Sequence, residues 1–243
     1  MVSEDNRPGR SGERSASNAR SEAVTCESIH KLAPSVKHIA DSTVRRLSLY
    51  LRFLEEFEAR GLTTISSDEL AARGGTTSAQ VRKDLSCFGS FGKRGLGYSV
   101  PQLARRLREI LGLQREWRVI IIGAGKIGAA LAQYQGFRQR GFRVAAVLDA
   151  DPAKIGRTID GFVIQSIDEL DRVGARERAD IAVIAVPAEG AQHVADRVIR
   201  AGIRGIMNFA PLQLHVPDSV TLRTVNMALE LEGLSFALSN SRE

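Results

Sequence analysis

The stretch Arg118-Val-Ile-Ile-Ile-Gly-Ala-Gly-Lys-Ile-Gly128 is the most informative part of this chain. Val119 to Ile122 read as a buried apolar strand that runs straight into G-x-G-x-x-G at Gly123, Gly125 and Gly128. Ile127, Ala129, Ala130 and Leu131 then open a helix. In such a turn the first glycine permits the sharp reversal and the second lets backbone approach a pyrophosphate. The third lets helix and strand pack closely, with the diphosphate at the helix N-terminus. The bare pattern is weak, and a glycine-rich turn that binds nothing is the bland alternative. Here both flanks fit, and a second strand, Arg143 to Leu148, ends in Asp149 at about the expected distance. The expected ligand is a dinucleotide held by Gly123, Ala124, Gly125, Lys126, Ile127 and Gly128. Asp149 would accept from the adenosine ribose hydroxyls, and a carboxylate there disfavours a 2′-phosphate, so NAD(H) is expected over NADP(H). Asp151-Pro152 reads as the cap of a following helix.

Strands and helices alternate from Trp117 onward. Apolar runs at 119–122, 144–148, 162–164, 181–186 and 203–209 predict strands buried on both faces, and Val220 to Val225 a last one. This is a Rossmann-type, doubly wound α/β parallel sheet. The nicotinamide end falls near Val186-Pro187-Ala188 and Phe209-Ala210-Pro211, where strand ends converge. A dehydrogenase needs a proton donor or acceptor beside the reacting carbon. Neither segment supplies one; Glu189 belongs to the first turn of a helix, where an acid is ordinary, and His193 lies one turn on. The site reads as built to bind a nicotinamide rather than to use it, so no catalytic residue is expected. An apolar pocket favours the neutral reduced ring over the cationic oxidised one, because desolvating a charge is costly.

About half of the 243 residues precede the glycine motif. Residues 1–38 are rich in Ser, Arg, Asn, Gly and Glu and read as a disordered tail. Segment 41–117 carries thirteen Lys or Arg against nine Asp or Glu, which is most of the chain's net charge of +6. An excess of this size suggests nucleic acid and no more. From Ser42 the pattern is helical: Val44, Leu47, Leu51 and Leu54 recur at three- and four-residue spacing, Phe57 follows, and Gly61 ends the helix. Ser66-Ser-Asp-Glu69 is a capping box before a short helix, Glu69 to Arg73, which ends at Gly74-Gly75. Thr77-Ser-Ala-Gln80 is read as a second box opening a helix from Ser78 to Phe88. Two short helices joined by a glycine turn make a helix-turn-helix. Gly89 to Tyr98, with Lys93 and Arg94 at its tip, suits a β-hairpin wing, and Pro101 begins a closing helix with Leu103, Leu107, Ile110 and Leu111 inward. The whole is a winged helix.

In the second short helix Val81 and Leu85 face inward, leaving Gln80, Arg82 and Lys83 outward, able to reach base edges or phosphates. A solvated charged helix is the bland reading, and the basic wing tips the balance toward DNA. Thr77, Ser78, Gln80, Arg82, Lys83, Lys93 and Arg94 are the expected DNA contacts. Between Thr76 and Tyr98 only Asp84 opposes the four basic residues.

No run approaches the about eighteen apolar residues of a membrane span, and the N-terminus lacks the apolar core of a secretory signal. Cys26, Cys87 and four scattered histidines give no metal-ligand spacing and no disulfide framework, so no metal is expected and a reducing cytoplasm is the expected compartment. The last helix, Met227 to Leu238, carries Met227, Leu231, Leu234 and Leu238 in one stripe with Leu229 and Phe236 beside it. A face that wide needs a partner: its own domain, or a second subunit, which is preferred. The expected domains are the tail 1–38, a winged-helix DNA-binding domain 39–116, a Rossmann NAD(H) domain 117–226 and a C-terminal dimerisation helix 227–243.

Val81-Arg-Lys-Asp-Leu-Ser86, Phe91-Gly-Lys-Arg-Gly-Leu-Gly-Tyr98, the Gly123–Gly128 turn, Val186-Pro-Ala188 and Asn208-Phe-Ala-Pro211 together resemble the Rex family of redox-sensing transcriptional repressors. The resemblance covers about residues 34–240 in the family's order. It implies a homodimer that binds operator DNA when NADH is low and is released by NADH, with the C-terminal helix exchanged between subunits. It places the diphosphate on Gly123 to Gly128 and the ribose on Asp149, and counts Tyr98 among the cofactor-binding residues, with a part in coupling DNA domain to cofactor domain. Two positions depart from it. The family often has Asp where Asn226 stands, which bears on an ionic contact that would help hold one of the two states, and an aromatic where Cys87 stands. The alternatives are an NAD-dependent dehydrogenase with a helical prefix, and a nucleotide-binding module whose winged helix binds protein.

Overall fold

A computed structural model of the chain describes residues 39–89, 91–92 and 97–240. The first helix, α1 (Asp41–Ala59), buries Leu47, Tyr50, Leu51, Leu54 and Phe57, while Val44 at its start is exposed. Gly61 follows with φ of +78°, a left-handed conformation that glycine adopts without a Cβ clash. A two-residue strand, β1 (Thr64–Ile65), precedes α2 (Ser67–Gly74). The capping box holds: the Ser66 hydroxyl accepts from the Glu69 N–H, and the Glu69 carboxylate accepts from the Ser66 N–H. Gly75 ends α2 in the left-handed region.

Helix α3 spans Ser78–Ser86, so the helix expected to reach Phe88 stops two residues short, and Phe88 packs against the core from the turn beyond. Thr77 caps it, accepting from the Gln80 N–H at 3.2 Å. The reciprocal half of the expected second box is not made, because the Gln80 amide turns to Asp84. Val81 and Leu85 are buried as expected. The strand β2 (Tyr98–Ser99) pairs antiparallel with β1, Thr64 opposite Ser99 and Ile65 opposite Tyr98. The wing is therefore tied to the segment before the helix-turn-helix, and no strand forms in the described part of 87–92 to make a local hairpin. Its tip, with Lys93 and Arg94, lies outside the described residues, as does the tail 1–38. Helix α4 (Val100–Ile110), with Pro101 in its first turn, inserts Leu103, Ala104 and Leu107 into the same core. Each fully buried leucine stabilises by about 1.5–3 kcal/mol relative to exposure.

The remainder is a seven-stranded sheet, β3 (Trp117–Ile122), β4 (Phe142–Asp149), β5 (Thr158–Ile159), β6 (Phe162–Ser166), β7 (Ile181–Ile184), β8 (Gly205–Asn208) and β9 (Thr221–Thr224), in the order β5-β6-β4-β3-β7-β8-β9. All neighbours are parallel except the short β5 against β6. Strand residues alternate between faces. Ile120 and Ile122 join one core with Leu170 and Val173 of α7 (Leu170–Glu177) and Ala191, Val194 and Val198 of α8 (Ala188–Arg200). Val119 and Ile121 join the other with Ala132 of α5 (Lys126–Ala132). A four-residue helix, α6 (Gly136–Gln139), follows α5.

The chain runs β3, β4, β6 to one side of β3, then crosses to β7 on the other. That reversal is the switch point where open parallel sheets bind ligands, at the carboxyl ends of their strands. No helix follows β4: residues 152–156 form successive turns, so Asp151 does not cap a helix, and its carboxylate accepts from the Ala153 N–H at the start of the turn instead. The last helix, α9 (Met227–Asn240), buries none of its residues. Asn226 accepts from the Ala228 N–H at 3.0 Å and so caps it, a task that an Asp would also perform.

Candidate ligand turn and reader helix

Four loops stand side by side at the carboxyl ends of β4, β3, β7 and β8. Backbone hydrogen bonds, each of 2.8 Å, continue the ladder past the strands: Gly123 N–H to Leu148 O, Ala185 N–H to Ile122 O, Phe209 N–H to Ile184 O. The Gly123–Gly128 turn, Asp149, Val186-Pro187-Ala188 and Phe209-Ala210-Pro211 are thereby brought to one edge. The two strands expected to run through 186 and 209 end at Ile184 and Asn208, which leaves those residues in the loops.

Within the turn the three glycines have separate reasons. Gly123 sits at φ of +102°, and a Cβ there would collide with the Ala185 carbonyl. A Cβ on Gly128 would overlap the Gly123 carbonyl oxygen. These two are demanded by the fold. A Cβ on Gly125 would meet nothing within 4 Å, and its φ is −80°, so the fold does not require glycine there. Open space above bare backbone is what a diphosphate needs, so the residues present fit a dinucleotide.

Asp149 is 7% exposed and already engaged. Its Oδ2 accepts from the Ala124 N–H at 2.7 Å and from Lys154 Nζ at 3.1 Å, and its Oδ1 from the Asp151 N–H at 2.8 Å. Burial pushes this carboxyl up, but the Asp151 and Ala124 N–H groups and the Lys154 ammonium more than offset it and hold the group below the usual carboxylate range. A carboxylate has about four acceptor positions, so one on Oδ1 remains for a hydroxyl. Lys154 and the Ala124 clamp were not anticipated; neither gives a sequence signal beyond proximity to the motif. Asn208, part of the Asn208–Pro211 motif, has a role that its sequence position alone does not assign. Fully buried, it accepts from Ala210 N–H and donates to the carbonyls of Ala210 and Leu212, fixing the Phe209–Pro211 turn. Glu189 lies in the first turn of α8, as expected, and no other acid or base occurs in 185–189 or 209–212. Among the described residues no group of three His, Cys, Asp or Glu side chains could hold a metal ion, and no helix is long and apolar enough to cross a membrane.

Tyr98 is not at this edge in the single chain. It is 8% exposed in the N-terminal core with Ile65 and Val100, and burial raises its phenol above the ordinary value.

Arg82 and Lys83 are exposed on α3, with Arg82 donating to the Ser67 hydroxyl of α2 at 2.8 Å. Thr77 and Ser78 begin the same helix. Asp84, read from the sequence as a lone opposing acid, is 2% exposed and pairs inward with Arg46 and Tyr50 of α1. Burial pushes its carboxyl up, and hydrogen bonds from Arg46, Gln80 and Tyr50 bring it below the usual range; the Tyr50 phenol is pushed up to about 12, by burial first and then by Asp84.

A winged helix joined to a parallel sheet with a dinucleotide turn is the build of a ligand-responsive transcription regulator. Residues 38–86 match the family model described as putative DNA-binding protein N-terminus, and 114–212 the model described as CoA binding domain. The redox-sensing transcriptional repressor Rex of Carboxydothermus hydrogenoformans is 48% identical over 198 residues, 82% of this chain and 95% of the relative. That of Streptomyces coelicolor is 47% identical over 207 residues, 85% of this chain and 80% of the relative. Among solved structures, RSP in complex with β-NAD+ and operator DNA aligns with TM-score 0.80 at 38% identity over 84% of this chain and 94% of that one. RSP with β-NADH aligns with TM-score 0.76 at 36% identity over 84% and 96%. The chain belongs to the Rex family of redox-sensing transcriptional repressors.

Proposed function

We propose that the chain is a cytoplasmic, homodimeric, non-enzymatic repressor that binds operator DNA when NADH is low and is released when NADH binds the parallel sheet. The observation that carries this reading is the apolar edge at 186–188 and 209–211 beside the glycine turn, without an acid or base to do redox chemistry, in one chain with a helix-turn-helix. The diphosphate lies over Gly123 to Gly128, with Lys126 and Ile127 supplying backbone and Ala124 lining the turn while its N–H stays on Asp149. The adenosine ribose meets the remaining acceptor of Asp149. A carboxylate there disfavours the phosphate-bearing riboses of NADP(H) and coenzyme A. The nicotinamide lies against Val186, Pro187, Ala188, Phe209, Ala210 and Pro211. Thr77, Ser78, Gln80, Arg82 and Lys83, with Lys93 and Arg94 of the wing, face DNA. Tyr98 lies at the base of that wing and couples the two domains, whose bounds are 39–116 and 117–226.

The bare apolar face of α9 supports the dimer. Met227, Leu231, Leu234 and Phe236 are all more than half exposed, with Phe236 at 73%. A groove of about 360 Å³ lined by Val119, Phe142, Ile181, Val183, Met207 and Arg52 opens on the surface of the same chain. Exchange of α9 between subunits lets one ligand-bound sheet reposition both winged helices, and two half-sites at fixed spacing are then lost together.

A ligand switches a two-state protein only through its differential affinity for the states, and the coupling is reciprocal. Operator DNA should weaken NADH binding by the factor by which NADH weakens DNA binding, typically about 5- to 150-fold. NAD+ couples less, its charged ring being poorly served by an apolar edge. Calorimetric titration of NADH with and without operator DNA tests this; equal affinities would remove the sensor reading.

A further inference from the structure

Asp84 is an unusual group in a reader helix, because all four of its acceptor positions are filled. Oδ1 accepts from Arg46 Nη2 and Gln80 Nε2, both at 2.8 Å. Oδ2 accepts from Arg46 Nε at 2.7 Å and the Tyr50 hydroxyl at 3.1 Å. The Arg46 fork and Tyr50 come from α1 and are set by the core, with Tyr50 fully buried. Gln80 is the only half-exposed member that belongs to α3, one turn before Asp84. Asp84 is ionised, hence acceptor-only, so the Gln80 amide cannot flip: its carbonyl oxygen would then face a carboxylate. The carbonyl oxygen and the second N–H of Gln80 are left for a partner beyond the core.

We propose that Gln80 reads adenine in the major groove, and that Asp84 is the positioning residue that holds its amide in the one orientation this requires. Adenine offers a donor at N6 and an acceptor at N7, and a glutamine amide with one oxygen and one N–H free complements both. Gln80 lies in the first turn of α3, and the N-terminal residues of a reader helix are the ones that contact base edges. The alternative is a helix-surface Gln–Asp pair that stabilises α3 and reads nothing. This inference rests on the DNA-binding function above and adds which base is read and what orients the reader.

The test is selection from a duplex library with randomised base pairs by the full-length protein, Gln80→Met and Asp84→Asn. Wild type should enrich an adenine at one position per half-site. Gln80→Met, which has the same length but neither the amide N–H groups nor the amide oxygen, should lose that adenine and keep the other positions. Within the selected duplex, 7-deazaadenine or purine at that position should weaken wild type by roughly 5- to 150-fold and leave Gln80→Met unaffected. Asp84→Asn should relax the adenine preference without shifting it to another position. Should that variant fail to fold, the Gln80→Met and base-analogue arms decide by themselves. Unchanged enrichment by Gln80→Met, or loss at a base other than adenine, would overturn the proposal while leaving the repressor function intact. Failure of wild type to enrich any sequence would overturn the DNA-binding function itself.

Discussion

Ala124 and Asp149 are joined across the carboxyl edge of the sheet: the Ala124 N–H donates to Asp149 Oδ2 at 2.7 Å, and both groups are buried. The acid proposed to serve the ribose also holds the glycine turn to β4, so on that proposal structure and ligand binding share one carboxylate.

Asp149→Ala should cost stability as well as affinity for NADH, because it leaves the buried Ala124 N–H without its partner, at about 1–3 kcal/mol. The contribution has a pH signature. The folded pKa lies below the unfolded value, so the stabilisation is complete above the unfolded pKa of about 3.9 and is lost as pH falls through the folded value. Urea denaturation in a pH series should show a constant difference between wild type and variant at neutral pH that shrinks below about pH 4. A difference that grew on acidification would contradict the assignment.

Gly125 and Gly128 should separate cleanly. Gly125→Val meets open space and should fold and bind DNA normally while losing the NADH response. Gly128→Ala must push α5 away from the Gly123 carbonyl and should lower the melting temperature before any ligand is added. Calorimetry and thermal denaturation read the two effects. Wild-type NADH affinity in Gly125→Val would displace the diphosphate from this turn.

Replacing Arg82 and Lys83 by Gln should lower the slope of log affinity for DNA against log salt concentration. The expected change is about one unit for each phosphate that the variant no longer neutralises, with NADH binding retained. Fluorescence anisotropy across a range of salt concentrations measures it. An unchanged slope would take α3 off the DNA.

Tyr50→Phe keeps the ring in its buried place and removes one donor from Asp84. It should cost about 1.5–3 kcal/mol of stability, the usual range for a hydrogen bond to a charged group. A neutral result in urea denaturation would mean that Arg46 and Gln80 satisfy Asp84 by themselves.

Leu231→Glu with Leu234→Glu places two charges on the exposed face of α9. The double variant should sediment as a monomer and retain the far-ultraviolet spectrum of the wild type. A wild-type mass in sedimentation would free α9 from any interface.

Elements controlled by local pattern were legible in the residues alone. The Gly123–Gly128 turn between strand and helix, the Ser66–Glu69 capping box, the buried positions Val81 and Leu85 and the alternation of most strands with helices all belong here. Each depends on spacing within a few residues, which backbone geometry and burial dictate directly. Where polar groups find partners was settled by the packing of distant elements. Asp84 meets Arg46 across 38 residues, and Asp149 meets Ala124 across 25. In the sequence both acids carry the same single charge and give no sign of burial. A carboxylate is tolerated inside only where donors from separate elements converge on it, and that convergence exists only once α1 lies on α3 and β3 beside β4. The same holds for Gln80, whose local pattern promised a capping box in which its carbonyl oxygen would accept from Thr77, and whose amide instead donates to the charged Asp84 carboxylate. It holds for Tyr98 too, which the motif places in a wing and the packing of β2 on β1 places in a core.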